Sequence, residues 1–159
     1  MDIAIMMETA RLLVQEWAKE ITTPAPNRMD VVLKKPKDVL AAATGLRVKR
    51  MGYISAITGI DHGPEADMIE ALYHFSTGPL IVTLRAQMPR TAGQSVVPTL
   101  SEIIPSAEPS ERELREMFGV EVVGLKNPDH LYLPDDWPDD TYPLRKDFDP
   151  ETLIAVKAK

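Results

Sequence analysis

Ile3, Met6, Ala10, Leu13, Trp17 and Ile21 recur at three- and four-residue steps, which puts them on one face of an amphipathic helix over residues 2–21. Asp2 is placed to cap its start, and Thr22-Thr23-Pro24-Ala25-Pro26 to end it. Glu8, Glu16 and Glu20 nearly balance Arg11 and Lys19, so the apolar face is expected to pack on a core rather than on lipid. Residues 29–33 read as a short strand. Pro36 suits the first turn of a second helix through Val39, Leu40 and Ala41-Ala42-Ala43, with Gly45 as its stop.

Beyond Gly45 the period changes from helical to alternating. Residues 53–60 are rich in Ile and Thr. Residues 68–76 set Ile69, Ala71, Tyr73 and Phe75 on one side, and residues 80–87 do the same with Leu80, Val82, Leu84 and Ala86. Thr77-Gly78-Pro79 between the last two runs predicts a β-hairpin. A polar loop over 89–95 and a helical turn over 99–104 follow. A charged helix over 111–118 is closed by Gly119, and a strand returns over 120–123. No internal repeat is visible. The order predicts an α+β fold, an antiparallel sheet packed with helices. Residues 1–125 form its core, and residues 126–159 an extended Pro/Asp-rich arm of the same domain.

A chain of 159 residues, 44% hydrophobic and 26% charged, has the size and composition of one globular domain. Its net charge of -6 leaves no basic surplus for general phosphate binding. The absence of cysteine excludes disulfides, thiolate zinc and ordinary iron–sulfur ligation on this sequence. No apolar run approaches the roughly 18 residues that span a bilayer. The start Met1-Asp2-Ile3-Ala4-Ile5 has no signal-peptide pattern. A cytoplasmic location is therefore expected, with membrane association through partners. The 14 prolines keep much of the last third out of regular helix.

Candidate chemistry is sparse. His62 follows Asp61 and His130 follows Asp129, but neither has metal-helix spacing to another ligand, and ordinary turn histidines are expected at both. His74 alternates away from Tyr73 and Phe75, towards a partner element or solvent. Neither GxGxxG nor GxxxxGK[ST] nor G-x-S-x-G occurs. Asp135, Asp136, Asp139 and Asp140 lack an EF-hand pattern and are expected to solvate the tail and pair with Arg145 and Lys146. Glu111 and Arg115 stand four apart and can pair along the helix. So charged a helix is expected to front solvent or a partner, and Trp137 in an extended acidic stretch has the character of an interface anchor.

The late motifs point further. Glu111-Arg112-Glu113, Met117-Phe118-Gly119-Val120, Leu133-Pro134-Asp135-Asp136-Trp137 and Tyr142-Pro143-Leu144-Arg145-Lys146-Asp147-Phe148 follow one another in this order. This run resembles the signature of the thirty-kilodalton subunit family of respiratory complex I, which has relatives in energy-converting membrane-bound hydrogenases. The resemblance covers residues 45–148. It implies a chain without cofactor or active site, packed against a large hydrogenase-like or quinone-site subunit beside an iron–sulfur subunit, on the cytoplasmic face of the membrane. Iron–sulfur clusters, and nickel–iron in hydrogenase-type complexes, would sit on those partners. Carried over, the docking residues are Glu111, Arg112, Glu113, Met117, Phe118, Leu133, Pro134, Asp135, Asp136, Trp137, Pro143, Leu144, Arg145, Lys146 and Asp147. Leu114-Arg115-Glu116 after E-R-E, and Gly124-Leu125-Lys126-Asn127-Pro128-Asp129, depart from the respiratory pattern and weigh towards the hydrogenase-type relatives. Two readings stand beside this one. One is an enzyme uniting His62, His130 and the tail acids, and the other a free-standing adaptor unrelated to redox chemistry.

Overall fold

A computed structural model of the chain describes residues 2–127, 129–151 and 153. The first helix, α1 (Ile3–Val14), starts where expected, with the Asp2 carboxylate accepting the Ala4 N–H at 3.0 Å. It is shorter than its periodicity predicts. The chain leaves the helix at Gln15 and enters strand β1 (Ala18–Ala25), which pairs antiparallel with β2 (Arg28–Leu33). Trp17 and Ile21 continue the helical spacing by coincidence. The β-branched run Ile21-Thr22-Thr23 and the turn at Pro26-Asn27 favour a hairpin, and pairing with β2 decides the outcome.

A 3₁₀ turn at Pro36–Asp38 leads into α2 (Val39–Val48). Gly45 does not stop this helix. It lies inside α2 opposite the Leu13 carbonyl of α1, and burial of Val39, Ala42, Ala43 and Leu46 holds the helix together past it. Three long strands follow, β3 (Tyr53–Asp61), β4 (Met68–Thr77) and β5 (Leu80–Pro89). The β4–β5 hairpin has the predicted register, Thr77 opposite Leu80 through Met68 opposite Pro89. Ile69, Ala71, Tyr73, Phe75, Leu80, Val82, Leu84 and Ala86 are all buried on the helix-covered face.

The sheet is mixed, not wholly antiparallel. Its order is β1-β2-β5-β4-β3, and β2 runs parallel to β5. Asn27 sets that junction. Its carbonyl accepts the Ile81 N–H at 3.0 Å, and its side-chain amide donates to the Pro79 carbonyl at 3.1 Å. A short parallel pair, β6 (Val96–Pro98) with β7 (Glu121–Val123), brackets α3 (Glu108–Phe118). Residues 99–104 form a turn, and Gly119 ends α3 in the left-handed conformation (φ 70°). Among the described residues, 124–150 form no helix or strand.

Candidate functional site

Helix α3 divides its charges among three directions. Glu111 points inward, wholly buried, and accepts from the Leu100 N–H and the Thr99 hydroxyl, both at 2.6 Å. Burial pushes its carboxyl above the ordinary value, against the pull of those bonds. Glu111 is thus a structural acid: it does not pair with Arg115 and has no surface to offer a partner. Glu116 is also buried and accepts from the Leu131 and Tyr132 N–H groups at 2.9 and 2.8 Å, with His130 Nδ1 at 3.2 Å. Burial opposes its charge, but these donors outweigh it and hold the carboxyl below its usual value. Arg112 donates to the carbonyls of Asp129 and His130. Glu113 lines an open groove beside β3.

The last motif is tied to the core as well. The Leu144 N–H donates to the Met117 carbonyl at 3.1 Å, and Arg145 Nε to the Phe118 carbonyl at 2.8 Å, so a cation sits on the C-terminus of α3. The Lys146 N–H donates to Asp61 Oδ2 at 2.8 Å. Arg90, 8% exposed, forks between Asp61 (2.7 and 3.0 Å) and Asp147 (2.5 Å). Burial opposes the charge on Asp61, yet the Arg90 guanidinium and two backbone N–H groups hold its carboxyl at about 2. The Asp147 carboxyl is lowered by the same guanidinium. Arg145 and Lys146 therefore meet backbone and core groups, not the tail acids predicted to pair with them.

Between these two anchorages the chain makes a loop. Trp137 is half-buried; its Nε1 donates to the Thr141 carbonyl at 2.7 Å, and its ring lies 6.4 Å from that of Phe148. The Tyr142 ring packs on Gly119 under the Arg145 guanidinium, 4.6 Å away. Leu133 and Pro143 are half-buried, and Met117 and Phe118 face inward from α3. Pro134, Asp135, Asp136, Leu144, Lys146 and Asp147 are exposed, as is Tyr132.

The histidines do not pair with their sequence neighbours. His62 Nε2 lies 2.9 Å from Glu70, which also receives Arg85 and Gln87 at 2.7 Å on the sheet face away from the helices. His130 belongs to Glu116, and His74 sits between Thr58 and Thr83. His62, His130 and the tail acids thus form no common constellation. Among the described residues no three His, Asp or Glu side chains are placed to hold a metal. The Arg90 and Glu116 anchorages were missed in the sequence because their partners are distant in the chain. Only the charges inside the motifs hinted at them.

Residues 32–152 match the family described as the respiratory-chain NADH dehydrogenase 30 Kd subunit. The chain belongs to this family. As a 30 Kd-subunit relative, it is 32% identical over 111 residues to an NADH-quinone oxidoreductase subunit of Moorella thermoacetica, covering 69% of this chain and 73% of that one. It is 44% identical over 66 residues to formate hydrogenlyase subunit 5 of Escherichia coli, covering 42% of this chain and 11% of the longer protein. A chain in the membrane-bound sulfane sulfur reductase, an archaeal respiratory membrane complex, superposes with a TM-score of 0.72 at 25% identity. The match covers 95% of this chain and 89% of that one. Among the described residues no helix is long and apolar enough to cross a membrane.

Proposed function

We propose that this chain is a peripheral-arm subunit, without an active site of its own, of a complex I-like, ion-translocating membrane oxidoreductase. In this reading it docks onto a large hydrogenase-like or quinone-site subunit on the cytoplasmic face of the membrane and holds that subunit's redox centre in place. An iron–sulfur subunit lies beside it, and the clusters, with nickel–iron in a hydrogenase-type complex, belong to these partners.

The observation that supports docking is the loop from Tyr132 to Asp136. Apart from half-buried Leu133 it is exposed, and it is acidic and aromatic, yet fixed at both ends by Glu116 and Arg112 on one side and by Arg90, Asp61 and the end of α3 on the other. Fixing both ends lowers the entropy lost when the loop meets a partner, and its carboxylates favour a basic surface. The identity to formate hydrogenlyase subunit 5 supports a hydrogenase-type complex, and the longer match to the Moorella protein a dehydrogenase-type one.

The test is co-purification of the tagged full chain from native membranes. Asp135→Lys with Asp136→Lys should lower recovery of the large redox subunit about tenfold while circular dichroism stays native. Undiminished recovery would remove the loop from the interface. Recovery of some unrelated soluble partner would favour the free-standing adaptor.

A further inference from the structure

The two edges of the main sheet are built differently. Strand β1 carries Lys19, Glu20 and Pro24 and two register irregularities, features that discourage another strand from pairing there. At the opposite edge, β3 pairs regularly with β4 from Ala56 to Asp61, and Ala56-Ile57-Thr58-Gly59-Ile60 holds no charge and no proline. The His62 N–H donates to the Met68 carbonyl. Antiparallel alternation then turns Ile60 and Thr58 towards β4, and the N–H and C=O groups of Ile57 and Gly59 outward. Among the described residues no strand takes them up.

Helix α3 runs beside this edge, with the Phe118 ring against Gly59. The groove between them has a volume of about 400 Å³ and is lined by Ile57, Gly59, Ser110, Glu113, Phe118 and Leu144 among others, with no basic side chain. Glu113 has no ion-pair or hydrogen-bond partner among the described residues, and Leu144 is 52% exposed.

We infer that the outer edge of β3 receives an extended segment of the large partner subunit as a sixth strand, with an apolar residue against Leu144 and a basic residue facing Glu113. Main-chain pairing supplies the binding, and the groove selects the side chains. This rests on the docking reading above and names where the partner enters.

Amide hydrogen exchange of the full chain, alone and within the complex purified from native membranes, tests it. The Ile57 and Gly59 amides should exchange fast in the free chain and about tenfold or more slowly in the complex. Glu113→Lys should lower recovery of the large subunit about tenfold, while Glu102→Lys, on an exposed turn that does not line the groove, leaves it unchanged. The exchange measurement uses the unaltered chain and stands whether or not the variant folds. A recovered complex with both amides still fast overturns the inference alone; a wild-type chain that recovers no membrane redox subunit overturns the docking reading as well. Slow amides in the free chain together with a dimeric mass would assign the edge to a second copy, against the inference.

Discussion

Glu111, Glu113 and Glu116 lie within a turn and a half of one helix, and their surroundings give them three different jobs. Glu111 holds a neighbouring turn, Glu113 lines a groove, and Glu116 holds the start of the late segment. A buried acceptor that serves two donors is costly to delete because both donors are left unpaired. Glu111→Ala should therefore lower unfolding stability by about 2 kcal/mol in urea titrations. Glu111→Gln keeps an acceptor, and the Thr99 hydroxyl can reverse its role, so it should cost less than about 1 kcal/mol. Equal costs for the two variants would mean that volume, not hydrogen bonding, fixes this position.

At the scale of elements, α3 owes its exact end to one residue. Gly119 takes a positive φ, and a Cβ there would meet the Tyr142 ring at 2.5 Å. Gly119→Ala combines backbone strain with loss of the Tyr142 contact and should destabilise by about 1–3 kcal/mol. Repeating it in a Tyr142→Ala background should recover the part due to the ring. Strictly additive thermal shifts would separate the helix end from the late segment and contradict their packing. The α1–β1 boundary carries the opposite lesson. Apolar spacing continued to Ile21, but the hairpin with β2 had a stronger claim on those residues than about two more turns of helix.

Across the whole molecule, the Arg90 fork joins β3, the loop after β5 and the last motif. It ties Asp147 to a guanidinium 57 residues away in the chain. Both carboxyls are lowered in the fold, Asp61 to about 2 from an ordinary 3.8. A lowered acid stabilises the fold fully above its unfolded value and loses that contribution as pH falls through the folded one. The fork should therefore weaken between about pH 4 and pH 2, with Asp61 alone contributing up to about 2 kcal/mol. In a Trp17→Phe background, Trp137 fluorescence should report release of the late segment in this window. Arg90→Met should shift that release to higher pH. An acid profile unchanged by Arg90→Met would show that the fork does not secure the segment.

Much of this protein is local and could be read along the chain. Alternation gave β4 and β5 with the correct buried sides, the Ile- and Thr-rich run marked β3, Gly119 marked the end of α3, and the ordered motifs pointed to the family. Side-chain period and turn chemistry act over a few residues, and a sequence displays them directly. What only the tertiary structure decided is who meets whom: β2 beside β5 in parallel, β1 as a strand, Glu111 inside, and Arg145 and Asp147 turned onto the core. These depend on contacts between residues distant in the chain, where the same glutamate or arginine can be surface charge or buried anchor. The composition of a motif does not distinguish those outcomes; desolvation and the partner that compensates it do.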